Sequence, residues 1–159
     1  MNSQDSISRL LITHCIALTA IVLSALLSTP ALANSTRDFG DHVVHCKALS
    51  STALDATVAE RLQITPDESL GLINVAIMRK TDSDAMGESV SGRVTAHWSD
   101  LSGMMGAIPM REVRDKNMIF YVGEVDFTAG GMYTFDILIS IDDSRPPYQV
   151  TFNKQFSDS

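Results

Sequence analysis

The chain has 159 residues, 12 of them basic and 19 acidic, for a net charge of −7. The acidic excess is spread without blocks and no basic cluster stands against it, which argues against nucleic acid or an anionic lipid surface as a partner. Only two cysteines occur, Cys15 and Cys46, too few for a disulfide framework once the first is accounted for.

Cys15 lies inside the apolar run Leu10 to Leu27, LLITHCIALTAIVLSALL, which is followed by Pro30 and then Ala31-Leu32-Ala33. Small residues at both specificity positions predict signal-peptidase cleavage after Ala33, so residues 1–33 read as a signal peptide and 34–159 as a single exported domain; the rival reading of the same 18-residue run is an uncleaved membrane anchor. No small-residue consensus precedes Cys15, so it is not expected to be lipidated. After cleavage no other segment is long and apolar enough to cross a membrane. The predicted mature chain could bury about two-thirds of its unfolded surface and needs no disulfide, and with Cys46 alone it can form none internally.

Residues 42–47, HVVHCK, hold two histidines and that cysteine within five positions. On a helix His42, His45 and Cys46 would share one face, a good arrangement for binding zinc or copper. On a strand His42 and Cys46 share a side but stand about 13 Å apart, and His45 points the other way. The paired valines and the β character of the rest of the chain favour the strand, with Val44, Cys46 and Ala48 as a buried row and His45 exposed.

The one predicted helix is Leu54 to Leu62, with Leu54, Val58 and Leu62 at four-residue steps, a cap at Ser51 or Thr52, and an end before Pro66. Leu70 to Met78, LGLINVAIM, is apolar on both faces and reads as a central strand. Asp82-Ser83-Asp84-Ala85-Met86-Gly87 resembles the start of a calcium loop, but Met86 and Arg93 stand where ligands are needed, so Thr81 to Gly87 reads as a hairpin turn. From Val90 the period is two: Val90, Val94, Ala96 and Trp98 on one side, Arg93, Thr95, His97 and Ser99 on the other.

Leu101 to Gly106 is a turn of unusual character, because Leu101, Met104 and Met105, with Ile108 and Met110 beyond, make it apolar. The preferred expectation is a loop folded onto the end of the core; the alternative is a contact surface for a partner. Asn117 to Phe127 follows as a strand. Turns at Arg114–Asn117, Thr128–Gly131 and Asp142–Pro147 separate it from its neighbours and from alternating runs at Tyr133–Ile141 and Tyr148–Asn153. About seven strands and one short helix predict an all-β fold, an antiparallel two-sheet sandwich of immunoglobulin type.

No G-x-S-x-G elbow occurs, and His97 has no nucleophile near it in sequence. Glu112, Glu124 and Asp126 read as outer-face charges on a sandwich. No catalytic residue is assigned, and no cofactor is implied.

Phe39-Gly40-Asp41 with His45, Leu72-Ile73-Asn74-Val75, Val90-Ser91-Gly92, Arg111-Glu112-Val113 and Phe120-Tyr121-Val122, in that order, resemble the bacterial "domain of unknown function 4426" family over Arg37 to Phe156. The resemblance implies a small exported protein of immunoglobulin-like fold and carries over no activity, ligand or site residue. Cys46 departs from it, standing where the family pattern leads one to expect an aromatic residue.

The functional expectation is a non-enzymatic periplasmic binding or interaction module with a protein partner in the bacterial envelope, contacted at Leu101, Met104 and Met105. The alternative is a periplasmic copper- or zinc-handling protein using His42, His45, Cys46 and the methionines; a hydrolase is the weakest reading.

Overall fold

The computed structural model describes residues 34–82 and 84–156, and the predicted signal peptide lies outside them. Ten strands run in chain order: β1 (Asn34–Asp38), β2 (His42–Ser50), β3 (Leu70–Thr81), β4 (Asp84–Ser89), β5 (Arg93–Asp100), β6 (Met105–Ile108), β7 (Met110–Asp115), β8 (Met118–Asp126), β9 (Met132–Ser140) and β10 (Tyr148–Gln155). They form two antiparallel sheets. The first has the order β1-β2-β3-β8-β7, with β4 also on β3, and the second has the order β10-β9-β5-β6. The chain is therefore mostly β and sandwich-like, with ten strands among the described residues in place of about seven.

The additional strands explain several boundary differences. β1 precedes HVVHCK, which is the second strand, and pairs with it from Asn34–Lys47 to Asp38–Val43. Part of the expected Thr81–Gly87 turn is β4, which pairs with the far end of β3 where β8 has already left that edge. Ser89 closes the gap: its hydroxyl donates to the Ile119 carbonyl at 3.1 Å and accepts from the Ile119 amide at 2.8 Å. Alternation begins at Val90, but the strand begins at Arg93, because Val90–Gly92 carries the chain from one sheet to the other. Tyr121 holds that crossing, accepting from the Gly92 amide at 2.8 Å and donating to Glu112 Oε2 at 2.9 Å.

Between the sheets lies one apolar core. Val44, Cys46 and Ala48 of β2 and Ile73, Val75 and Ile77 of β3 meet Ala96 of β5, Phe135, Ile137 and Ile139 of β9 and Val150 of β10. Alternation on β9 buries Tyr133, Phe135, Ile137 and Ile139 while Leu138 stays exposed, as a half-buried strand requires.

The helix, α1, spans Ala56–Leu62, two residues shorter than expected. Asp55 is its N-cap, accepting from the Thr57 amide, and neither Ser51 nor Thr52 serves. Ser51 is instead buried in a 3-10 turn, where its hydroxyl donates to the Asp67 carbonyl and accepts from the Asp67 amide. Gln63, in the left-handed region at φ 56°, ends the helix before Pro66 is reached. Leu62, with Ile64 just beyond, packs on the outer face of the first sheet against Leu72 and Val122, while Val58 is 39% exposed and does not complete the expected stripe.

Candidate functional site

The β5–β6 hairpin is built by small residues at two places. Trp98 faces inward and lies against Gly106, where an added Cβ would come within 2.6 Å of the indole nitrogen. Gly103 turns the chain at φ +87°, a conformation that L side chains rarely adopt. Asp100 ties the turn together. Its carboxylate accepts from the amides of Ser102 and Met104 and from the Ser102 hydroxyl, at 2.9, 3.0 and 2.7 Å. Those bonds, the Ser102 hydroxyl first, hold the Asp100 carboxyl below its usual range.

With the backbone so arranged, the turn leaves Leu101, Met104 and Met105 in solvent at 86%, 62% and 77% exposure. The expected plug on the end of the core is therefore not formed by these three residues. Inward packing comes from Ile108, which is buried, and Met110, which is half-buried against the core. The backbone gives the reason: Asp100 and Gly103 fix a short loop at residues 101–104, and Met105 opens the edge strand β6 on its outer face, paired with Ser99.

HVVHCK disperses its three candidate ligands. His42 is buried beside Tyr148, its Nδ1 3.4 Å from the phenol oxygen, and Phe39 stacks on the same Tyr148 ring at 4.3 Å. Burial holds the His42 imidazole below its usual pKa. His45 points out of the opposite face, 3.1 Å from the Thr36 hydroxyl through Nδ1. Cys46 lies in the core, where burial pushes its thiol up to about 12. No group of three His, Cys, Asp or Glu side chains positioned to hold a metal occurs among the described residues. Glu124 and Asp126 are exposed, Glu112 is engaged by Arg114 at 2.7 Å as well as by Tyr121, and His97 is exposed opposite Asp136.

A second feature was not anticipated from the sequence. On the outer face of the first sheet a hollow of about 250 Å³ is lined by Thr36, His45, Cys46, Lys47, Asn74 and Ala76. Lys47 and Asn74 are register partners, as are His45 and Ala76 in the next row. Asn74 Oδ1 is buried and has no hydrogen-bond partner among the described residues. The available signal was an asparagine in the middle of LGLINVAIM, a residue type depleted from central strands.

The model of the family described as "Domain of unknown function (DUF4426)" matches residues 36–158. The chain belongs to the DUF4426 family. A DUF4426 protein from Pseudomonas aeruginosa PAO1 is similar in structure at a TM-score of 0.67 and 24% identity, over 80% of this chain and 97% of that one. A copper-bound variant of FetP from uropathogenic Escherichia coli strain F11 is similar at a TM-score of 0.54 and 9% identity, again over 80% of this chain and 97% of that one. FetP "as isolated" from the same strain matches at 0.54 and 9%, over 80% and 96%. At these identities the likenesses describe the fold. No curated protein matches the chain. Among the described residues of this DUF4426 chain no helix is long and apolar enough to cross a membrane.

Proposed function

We propose that this DUF4426 protein is an exported, periplasmic, non-enzymatic interaction module that binds a protein of the bacterial envelope through its β5–β6 turn. The observation that carries the reading is the Asp100-clamped turn holding Leu101, Met104 and Met105 exposed. Fully burying an aliphatic or methionine side chain is worth about 1.5–3 kcal/mol, so three such groups held in water represent a large unused driving force for association. Because the turn is already ordered, little conformational entropy is lost on binding. From Leu101 to Met110 no residue is charged, and depletion of charge with enrichment of methionine is the composition of an interface centre. Export is supported by the Ala31-Leu32-Ala33 cleavage pattern.

Metal handling has less support. The FetP likeness concerns architecture alone, and His42, His45 and Cys46 point into three different surroundings. A photo-crosslinking amino acid placed at Met104 in the full chain, expressed in its own envelope, tests the leading reading. One discrete crosslinked protein is expected, absent when the probe sits at exposed Gln149 on β10; identical products from both positions would overturn it.

A further inference from the structure

The hollow on the outer face of the first sheet lies on the other sheet from the β5–β6 turn and makes separate chemical demands. Asn74 Oδ1 is a buried acceptor with no hydrogen-bond partner among the described residues. A buried polar atom without a partner is unfavourable, and an asparagine at the centre of β3 costs β propensity as well. Beside it across the strand pair stands Lys47, exposed and without an ion pair among the described residues. Ala76 supplies the space, since its small side chain stands opposite His45 where a larger residue would fill the hollow. When the Thr36 hydroxyl donates to His45 Nδ1, the neutral ring carries its proton on the other nitrogen and becomes a second donor. None of the lining side chains is acidic.

We propose that this hollow binds a carboxylate carrying an amide N–H on the adjacent carbon, as in an N-acylated amino acid or the last residue of a polypeptide. Rotation of the Asn74 side-chain amide brings Oδ1, which has almost no exposed surface in the structure, to accept from the ligand's amide N–H, and the carboxylate sits against the Lys47 ammonium with His45 as its second donor. Cross-strand partners have their Cβ atoms about 5 Å apart, and the flexible lysine stem adapts that spacing to a donor and an anion joined through one carbon. A phosphate fits less well, because Asn74 Oδ1 would face an oxygen acceptor; a sugar would satisfy Asn74 and leave the lysine charge unused. The volume is below the roughly 300–1,000 Å³ of sites for drug-sized ligands, which matches a single terminal residue.

Nuclear magnetic resonance titration of the protein recovered from cells expressing the full chain provides the test. The probes are N-acetylglycine, acetate, N-acetylglycinamide and an N-acetylated tripeptide ending in glycine. N-acetylglycine should shift the amides of residues 45–47 and 74–76 saturably, with acetate and N-acetylglycinamide each at least about ten-fold weaker, the loss expected for one missing interaction. Tighter binding of the tripeptide assigns the site to chain termini, and equal binding assigns it to free acylated amino acids. Lys47→Gln, on an exposed position, and Asn74→Leu should each weaken N-acetylglycine about ten-fold at unchanged melting temperature. If Asn74→Leu fails to fold, Lys47→Gln decides by itself. Absence of saturable shifts at tens of millimolar, acetate binding as well as N-acetylglycine, or full binding by a folded Lys47→Gln would each overturn the proposal.

Discussion

Asp100 and Met104 are joined twice: the Asp100 amide donates to the Met104 carbonyl at 2.9 Å, and the Asp100 carboxylate accepts from the Met104 amide at 3.0 Å. A turn closed by both backbone and side chain of one residue cannot readily let Met104 fold back onto the sheet. Asp100→Ala should therefore speed amide hydrogen exchange at Ser102 and Met104 while leaving the global melting temperature nearly unchanged, since the turn is exposed and outside the core. The carboxyl is held below its usual 3.8 chiefly by the Ser102 hydroxyl, so its contribution is complete above about 4 and is lost as pH falls through the lowered folded value. Exchange at Met104 that is indifferent to Asp100→Ala would contradict the clamp.

His42 makes a second pH-dependent contribution, at higher pH. Burial lowers its folded pKa below 6.5; Asp41 and Asp142 act against that shift, while Arg145 and Arg79 reinforce it. The unfolded chain takes up a proton before the folded one does. The stability is thus fully present above 6.5 and declines as pH falls towards the lowered folded value. Urea midpoints measured between pH 7.5 and 5.5 should fall for the wild-type chain and fall less for His42→Gln. Parallel slopes for the two proteins would show that His42 is not the group responsible.

Cys46 should be chemically silent in the folded protein. With its thiol pushed up to about 12 and only 2% exposed, it offers almost no thiolate near neutrality. Iodoacetamide at pH 8 should label the protein cut after Ala33, which lacks Cys15, in urea and leave it unlabelled in the native state. Cys46→Ser should cost about 1–3 kcal/mol by burying a hydroxyl, with no change in a weak, non-stoichiometric uptake of Zn²⁺ or Cu⁺. A tight one-to-one metal complex lost on His42→Ala and His45→Ala would contradict the dispersed geometry.

The parts of the fold with strict alternation were legible from sequence. Val94, Ala96 and Trp98, or Phe135, Ile137 and Ile139, announce their inner face because one side of each strand is wet. HVVHCK was readable for the same reason, since period two sends His45 away from Val44 and Cys46. The strands that were missed are short or lack a clean pattern. β4 lies in a Gly- and Asp-containing stretch that resembles a turn, and β6 has four residues that begin inside an apolar loop. Pairing partners, which decide both, are not local information. The exposure of Leu101, Met104 and Met105 was hidden because apolar composition alone does not say whether a loop has a core to fold onto. That depended on Asp100 and Gly103 closing the turn. The hollow was hidden more deeply, because Thr36, His45, Lys47 and Asn74 come from three strands and meet only through register.

The central claim is that Leu101, Met104 and Met105 are a contact surface, and paired measurement of melting temperature and partner capture on Met104→Asp and Met105→Asp tests it most directly. At 62% and 77% exposure, either substitution should change stability by about 0.5 kcal/mol or less, whereas a buried methionine changed to aspartate would cost about 3 kcal/mol or more. Melting temperatures within about two degrees of the wild-type chain are expected, together with loss of the envelope protein that the wild type is expected to retain. A large fall in melting temperature for both variants, or undiminished capture by stable ones, would contradict it.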